Sequence, residues 1–494
     1  MEKVRTWWES YHFQGSPSFQ FASKLKALEL DLKKWNDEEF GNVEGKMNKL
    51  WKNLEVLDLL EDSRPLSYDE TLEKEQLRID LEKVTLMVEI CWRQKSRALW
   101  IREGDRNTKF FHRIANSHRR FNTIDNLLVE GELTSDPNSI SACISHFYKQ
   151  LYLENKGVRP VLDEVDFSMI SEVEAAWLDR PFEEEEVFGV IQGCNGDKSA
   201  GLDGFSMAFF KVCWDFLKLE IMEVLANFHS QAVFEESLNA TFIALIPKKV
   251  DAVNVRDFRP ISLVGSIYKI ISKLLANRLR RVIFGIISES QNAFVLDRQI
   301  LDSVLIANEF LDSRLKARIL GVLCKLDVEK AFDHVSWDFF MYMLQCCGFS
   351  EKWRKWILFC ISTVRFLILI NGSPKDFFGS SRGLCQGDPL SSLLFAIVME
   401  ALSCLLDGAV LAGHILGFTV GTRSNTPLMV THLLFADDTL IFCDASASQV
   451  EYLREILASF EAVSGLHINL AKSELVPIGE VTNMGKLVAL LGCS

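Results

Sequence analysis

The sequence has no Cys-x-x-Cys pair among its twelve cysteines, and no spacing that suits a zinc site. Reduced thiols in the cytosol or nucleus are the simplest reading. It has no apolar leader: charged and aromatic residues follow Met1. It has no clean membrane span either. The most apolar stretch, Leu390 to Phe418, is interrupted by Glu400, Asp407 and His414 and reads as buried helix. It lacks an excess of positive charge: the formal net charge is −13, so any nucleic-acid surface must be local. Sustained heptads, internal repeats and low-complexity linkers are missing as well. What remains is a 494-residue chain, 48% hydrophobic and 24% charged, enough for two to four globular domains. The expected location is nucleus or cytoplasm, with no membrane partner.

Against that background HLLFADDTLIFCDA, residues 432–445, stands out. Two adjacent aspartates, Asp437 and Asp438, sit between short apolar runs that read as strands of a hairpin. An exposed turn is the ordinary explanation of Asp-Asp. Here the flanks would bury the hairpin, and two neighbouring carboxylates resist burial unless a cation offsets them. KLDVEKAFDHVSW, 325–337, supplies a third acid: a β-like run from Leu320 to Leu326 closes on Asp327. Three carboxylates at neighbouring strand ends would suit Mg²⁺, with Mn²⁺ as the alternative ion. Two such ions about 4 Å apart can clamp the attacking and leaving oxygens of a phosphoryl transfer.

The chain changes character along its length. Residues 1 to about 160 carry helical spacing, as in Leu25, Leu28, Leu32 and Trp35. PFEEEEVFGVI places Pro181 and Glu183 to Glu186 where a helix N-terminus favours them. Beyond residue 200, strand-like runs at 240–247, 321–327 and 366–372 alternate with helices. Residues 92–120 form a basic island, with nine Lys or Arg against Glu103 and Asp105, a net +7. Arg93, Lys95, Arg97, Arg106, Lys109 and Arg113, interleaved with Trp92, Trp100, Phe110 and Phe111, read as an RNA or template–primer contact. A solvated helix face is the competing explanation.

F-A-D-D and K-L-D-V-E-K-A-F-D resemble the catalytic motifs of reverse transcriptases, and RGLCQGDPLSSLLF (382–395) is similar to the R-G-x-x-Q-G-D-P-L-S-P stretch of LINE-type non-LTR retrotransposons. KSAGLDGFSMAFF (198–210), FRPISLVGSIYKIISKLLANRL (258–279), QNAFVLDRQILD (291–302) and SGLHINLAKSE (464–474) resemble further motifs in the family's order. The basic island is similar to the region upstream of the polymerase in plant members. The resemblance implies an α+β right-hand polymerase that copies an RNA template from a DNA primer with deoxynucleoside triphosphates. Its segments would be a helical N-terminal extension (1–165), fingers (166–286), a palm with an antiparallel sheet (287–476) and the start of a truncated thumb (477–494). The family's endonuclease, ribonuclease H and zinc knuckle would be absent.

The resemblance also implies roles. Asp327, Asp437 and Asp438 would be metal ligands, joined by the carbonyl of Val328. Phe332 would lie under the incoming sugar and reject a 2′-hydroxyl; plain core packing is its alternative. Arg259 would reach the triphosphate with Lys248 nearby, and Gln386 and Gly387 would touch the nucleotide or template. Lys472 would donate a proton to leaving pyrophosphate, unless it is a surface lysine. Cys385 replaces a common Arg, Ser392 a proline, Ala200 and Leu202 two more prolines, and Asp297 a glycine. The competing whole-chain reading is an inactive retrotransposon remnant that folds and at most binds RNA.

Overall fold

The computed structural model describes residues 1–96, 116–117, 120–154, 157, 159–163, 165–420 and 428–493. It is a mixed α+β structure whose two larger sheets have four strands each. One sheet runs in the order Phe258–Leu263, Ala240–Pro247, Arg365–Ile370, Ser373–Gly379. Its pairs are antiparallel except the central one, where Ala240–Pro247 and Arg365–Ile370 run parallel. The other runs His432–Phe435, Asp438–Asp444, Gly321–Leu326, Glu474–Ile478 and is antiparallel throughout. Residues 240–263 and 365–379 share a sheet, so the expected boundary at residue 286 does not separate the two sheets.

Alternation explains the strands. Val322, Cys324 and Leu326 are buried on one face of Gly321–Leu326, while Lys325 is exposed. The helix Ser391–Leu411 is buried on nearly every side. It is long and apolar enough to cross a membrane, but 72% of that window is buried inside the protein, where it forms the centre of the main core. Its start is fixed by Asp388, whose carboxylate accepts from the Ser391 amide and hydroxyl, both at 3.1 Å, and from the Ser272 hydroxyl. This is the local purpose of G-D-P-L-S. Asp203 of KSAGLDG does the same for the helix Ser266–Val282 by accepting from the Ser266 amide. Gly201 is required there because any Cβ would collide with the Val264 carbonyl.

The N-terminal part contains the helices Glu2–Ser10, Pro17–Trp35, Val43–Ser63 and Tyr68–Ser96. It is not all-helical. Leu127–Val129 and Glu132–Thr134 form a hairpin through Glu130 and Gly131, both at positive φ. Helical periodicity in the surrounding segments masks this short ladder, which is anchored from elsewhere: the Leu128 amide donates to Val253 at 2.7 Å. The helix Pro137–Leu151 follows, capped by Asp136 through the Ser139 amide at 2.8 Å.

The acidic stretch opens the helix Glu184–Gly193. Glu186 does more than suit the dipole. It pairs with the buried guanidinium of Arg278, with Nε and Nη2 at 3.0 and 2.8 Å. Arg278 also donates to the carbonyls of Leu178, Arg180 and Pro181, so every face of the buried cation is answered.

Candidate active site

Phe435 pairs with Asp438, leaving Ala436 and Asp437 as the turn of the hairpin. Ala436 adopts φ +58°, a left-handed conformation uncommon for a residue with a side chain. Thr439 pairs with Leu326 on the adjacent strand, so Asp327 leaves that strand beside Asp438. The register therefore brings the three acids to neighbouring positions on two strands. Burial raises the Asp437 carboxyl above the usual range, and the charges of Asp438 and Asp327 push it further; Arg259 opposes them. Asp438 is exposed and Asp437 and Asp327 are half-buried, so the cluster opens to solvent on one side.

The turn is held by a residue to which the motif reading gave no role. Gln291 is buried, and its Oε1 accepts from the Ala436 and Ala293 amides, both at 3.0 Å. Its Nε2 lies 3.4 Å from the Ala436 carbonyl. The neighbouring backbone extends the clamp: Asn292 donates to Leu434 at 2.9 Å, and Leu434 to Ser290 at 2.8 Å. Arg298 in turn donates to the carbonyls of Ser288 and Gln291. Glu400, on the central helix, accepts from the Ser288 amide and hydroxyl. The only sequence signal was Gln291's place at the head of QNAFVLDRQILD. Asp297 in that segment sits at φ +63°, the left-handed region in which glycine is most comfortable.

Cations gather opposite the acids. Lys472 Nζ is 3.9 Å from Asp327 Oδ2, on a loop tied to Asp327 by two further bonds. The Asn469 amide donates to the Asp327 carbonyl at 2.7 Å, and the Asp327 amide to Ser473 Oγ at 3.1 Å. Burial lowers the Lys248 ammonium pKa, and the nearby positive charges of Arg259 and Lys472 lower it further. Arg259 is exposed on the strand Phe258–Leu263. Gln386 is joined to that strand, its carbonyl accepting from the Ser262 amide at 2.8 Å. Its side-chain Oε1 is buried with no hydrogen-bond partner among the described residues. Gly387, at φ +97°, lets the loop turn against Ser262 and Ile261.

Phe332 lies in the short helix Ala331–His334, half-buried, its ring stacked on Phe395 at 4.6 Å. Its carbonyl accepts from Leu384 at 2.7 Å, which ties it to the Gln386 loop. Val328 pairs with Ile468 in a two-residue ladder next to Asp327. Cys385 is buried in an apolar cluster with Phe366 and Ile368. The same burial pushes its thiol up to about 12.

The basic island is not brought to this site by anything described. Arg97, Arg106, Lys109 and Arg113 lie outside the described residues. Arg93 and Lys95 fall in the last turns of the helix Tyr68–Ser96.

Among the described residues, no three His, Cys, Asp or Glu side chains form a ready-made metal cage. The donor chemistry nevertheless fits a hard cation. All three candidate groups are carboxylates, and the charges of Asp327 and Asp438 raise the Asp437 carboxyl, a repulsion that a divalent ion would relieve.

Residues 246–486 match the family model described as reverse transcriptase (RNA-dependent DNA polymerase). The match spans the acids, the Gln291 clamp, the Gln386 loop and Lys472. The chain is also similar to proteins of R2 and TX1 elements. The chain is 27% identical over 382 residues to the transposon TX1 uncharacterized 149 kDa protein of Xenopus laevis, covering 77% of this chain and 28% of that protein. It is 30% identical over 236 residues to the Pol polyprotein of type-1 retrotransposable element R2 of Popillia japonica, covering 47% and 31%. The chain thus spans less than a third of either relative. Among solved structures, a telomerase from Candida albicans in complex with a telomeric RNA fragment aligns at a TM-score of 0.35 and 15% identity, covering 48% of this chain and 43% of that one.

Proposed function

We propose that this chain is the RNA-directed DNA polymerase module of a plant LINE-type non-LTR retrotransposon, with residues 166–286 contributing fingers and 287–476 the palm. The observation that carries the reading is the register that sets Asp327 beside the Asp437–Asp438 turn, with Lys472 3.9 Å from Asp327 and the charge of Arg259 felt by Asp437. Asp327, Asp437 and Asp438 would hold Mg²⁺, which when bound would neutralise charge on the attacking 3′-oxygen and the leaving pyrophosphate. Arg259 and Lys248 would bind the triphosphate. Phe332 would exclude a ribose 2′-hydroxyl. The unpartnered Gln386 amide oxygen would take a hydrogen bond from the incoming nucleotide or the template strand. Lys472 would give a proton to the departing pyrophosphate. Most of the acceleration would come from positioning and preorganised charge.

The test is primer extension on an RNA template by the purified chain with Mg²⁺ and with Mn²⁺. Extension should require deoxynucleoside triphosphates and should vanish in Asp437→Asn and in Asp327→Asn. Extension that survives both substitutions would refute the site. No extension by the wild type, with RNA binding retained, would favour the remnant reading. RNA affinity should also fall when Arg97, Arg106, Lys109 and Arg113 are neutralised, with a shallower dependence on salt.

A further inference from the structure

Tyr152 lies outside the segment that matches the reverse transcriptase model, yet it reaches the nucleotide face. It follows the helix Pro137–Leu151, whose buried residues Ile140, Ile144, Tyr148 and Leu151 form one stripe. That stripe seats the helix in the apolar cluster built on Phe366 and Ile368. The Tyr152 ring is buried there, stacked on Phe366 at 4.9 Å. Its hydroxyl donates to Asp333 Oδ1 at 2.8 Å. Asp333 is buried and directly follows Phe332, the candidate sugar gate.

The same turn of chain holds the second nucleotide loop. The Tyr152 carbonyl accepts from the Ser381 amide at 2.9 Å, and the Leu151 carbonyl from Arg382 Nε at 2.9 Å. The Glu154 amide donates to Ser381 Oγ at 2.7 Å. Ser381 and Arg382 lead straight into Leu384–Gly387. The two loops are also joined to each other: Leu384 donates to Phe332, and Gly383 donates to Val335 at 2.8 Å. The contact is close enough that a Cβ on Gly383 would come 2.6 Å from the Asp333 carbonyl. Residues 151–154 therefore pin both sides of the nucleotide face from outside the matched domain.

We propose that Tyr152 is a positioning residue for sugar selection, acting through Asp333 on the ring of Phe332. The inference rests on the polymerase reading above. Asp333 carries a buried carboxylate, with Lys330, Lys248 and Arg382 as the nearby cations. Without the Tyr152 hydroxyl this carboxylate turns toward those cations. The short helix Ala331–His334 turns with it, because Phe332 and Asp333 are consecutive. Phe395 supports one face of the gate ring, which is only half-buried. A displaced ring clashes less with a 2′-hydroxyl.

The experiment measures single-nucleotide incorporation by the full chain on an RNA template, with dGTP and with GTP, and takes the ratio of kcat/KM for the two sugars. Tyr152→Phe keeps the ring and removes only the hydroxyl. The ratio should fall about tenfold, the scale of one charged hydrogen bond, mainly through easier use of GTP. Asp333→Asn, which weakens the pair without leaving a charge behind, should lower it less. Adding Tyr152→Phe to Asp333→Asn should then cost little more, since the buried charge is gone. A purely structural tyrosine would lower the melting temperature and slow both sugars equally; an unchanged ratio in Tyr152→Phe overturns the proposal. If that variant does not fold, an unchanged ratio in Asp333→Asn does so. Titration calorimetry with dGTP and GTP separates the two levels. A wild type that extends no primer and binds both nucleotides alike defeats the polymerase reading and this inference together. A wild type that discriminates, with variants that discriminate as well, defeats this inference alone.

Discussion

Gln291 Oε1 accepts the amide of Ala436 at 3.0 Å, and so holds in place the left-handed residue that aims Asp437. The amide would otherwise be buried without a partner, and left-handed alanine costs on the order of 1 kcal/mol. Gln291→Leu should therefore loosen the turn. Incorporation should drop about ten- to a hundredfold in kcat, with little change in nucleotide KM and a higher requirement for Mg²⁺. Gln291→Glu keeps the acceptor but sets an oxygen against the Ala436 carbonyl and buries a further carboxylate, and should recover only part of the activity. Single-turnover rates against Mg²⁺ concentration decide the matter; equal rates for Gln291→Leu and the wild type would show that the turn holds itself.

Phe332→Val should relax sugar discrimination by removing the ring. Incorporation of ribonucleotides should rise by about tenfold or more, on the scale of a steric clash relieved in a tight pocket. Because Phe332 also stacks on Phe395, a modest loss of thermal stability of about 1 kcal/mol should accompany it. If ribonucleotides remain excluded to the same degree, the ring is core packing and nothing more.

Glu400 gives the protein a pH signature. Burial pushes its carboxyl from the ordinary range up to about 7, despite the bonds from Ser288. A folded-state pKa above the unfolded value means the folded state holds the proton more tightly. The corresponding stability is full below about 4.5, declines as pH rises, and is gone above about 7. Over that window the wild type should lose about 3 kcal/mol from this group. Glu400→Gln should flatten the decline between pH 5 and 8 and be the more stable protein at pH 8. Denaturant melts at several pH values check this; parallel wild-type and variant curves would show that Glu400 titrates normally.

Arg278→Met leaves Glu186 without its main buried partner and leaves three carbonyls without their donor. The loss should be about 3–5 kcal/mol. Arg278→Lys should recover little, because one ammonium cannot span the guanidinium's directions. A double variant with Glu186→Leu should be more stable than Arg278→Met alone, as urea unfolding would show.

The aspartates were legible because their signals are local. A β-like run that ends in Asp327 and a hairpin with acids at its turn are written within a few residues each. The partners that hold them were not. Gln291 meets Ala436 across 145 residues, Arg278 meets Glu186 across 92, and Tyr152 meets Asp333 across 181. No periodicity or spacing encodes such meetings; they follow from how the sheets close. The hairpin at 127–134 is hidden from the sequence for a related reason. Three-residue strands are too short for alternation to declare itself, and this one is anchored by Val253. Cys385 stands where the resemblance implies a positive charge, and its burial in the apolar cluster with Phe366 and Ile368 is set by residues distant in sequence.

The parallel pairing of Ala240–Pro247 with Arg365–Ile370 has a consequence for how the chain is made. The first of these strands emerges from a ribosome well before its partner, and the strand Gly321–Leu326, which Asp327 follows and which is destined for the other sheet, is synthesised in between. The sheet begun by residues 240–263 cannot be completed until residues 365–370 arrive, so the nascent protein carries an open sheet edge while more than a hundred residues are added. Dividing the chain near residue 286 would freeze that exposed intermediate, and fragments cut there should aggregate where the intact chain folds.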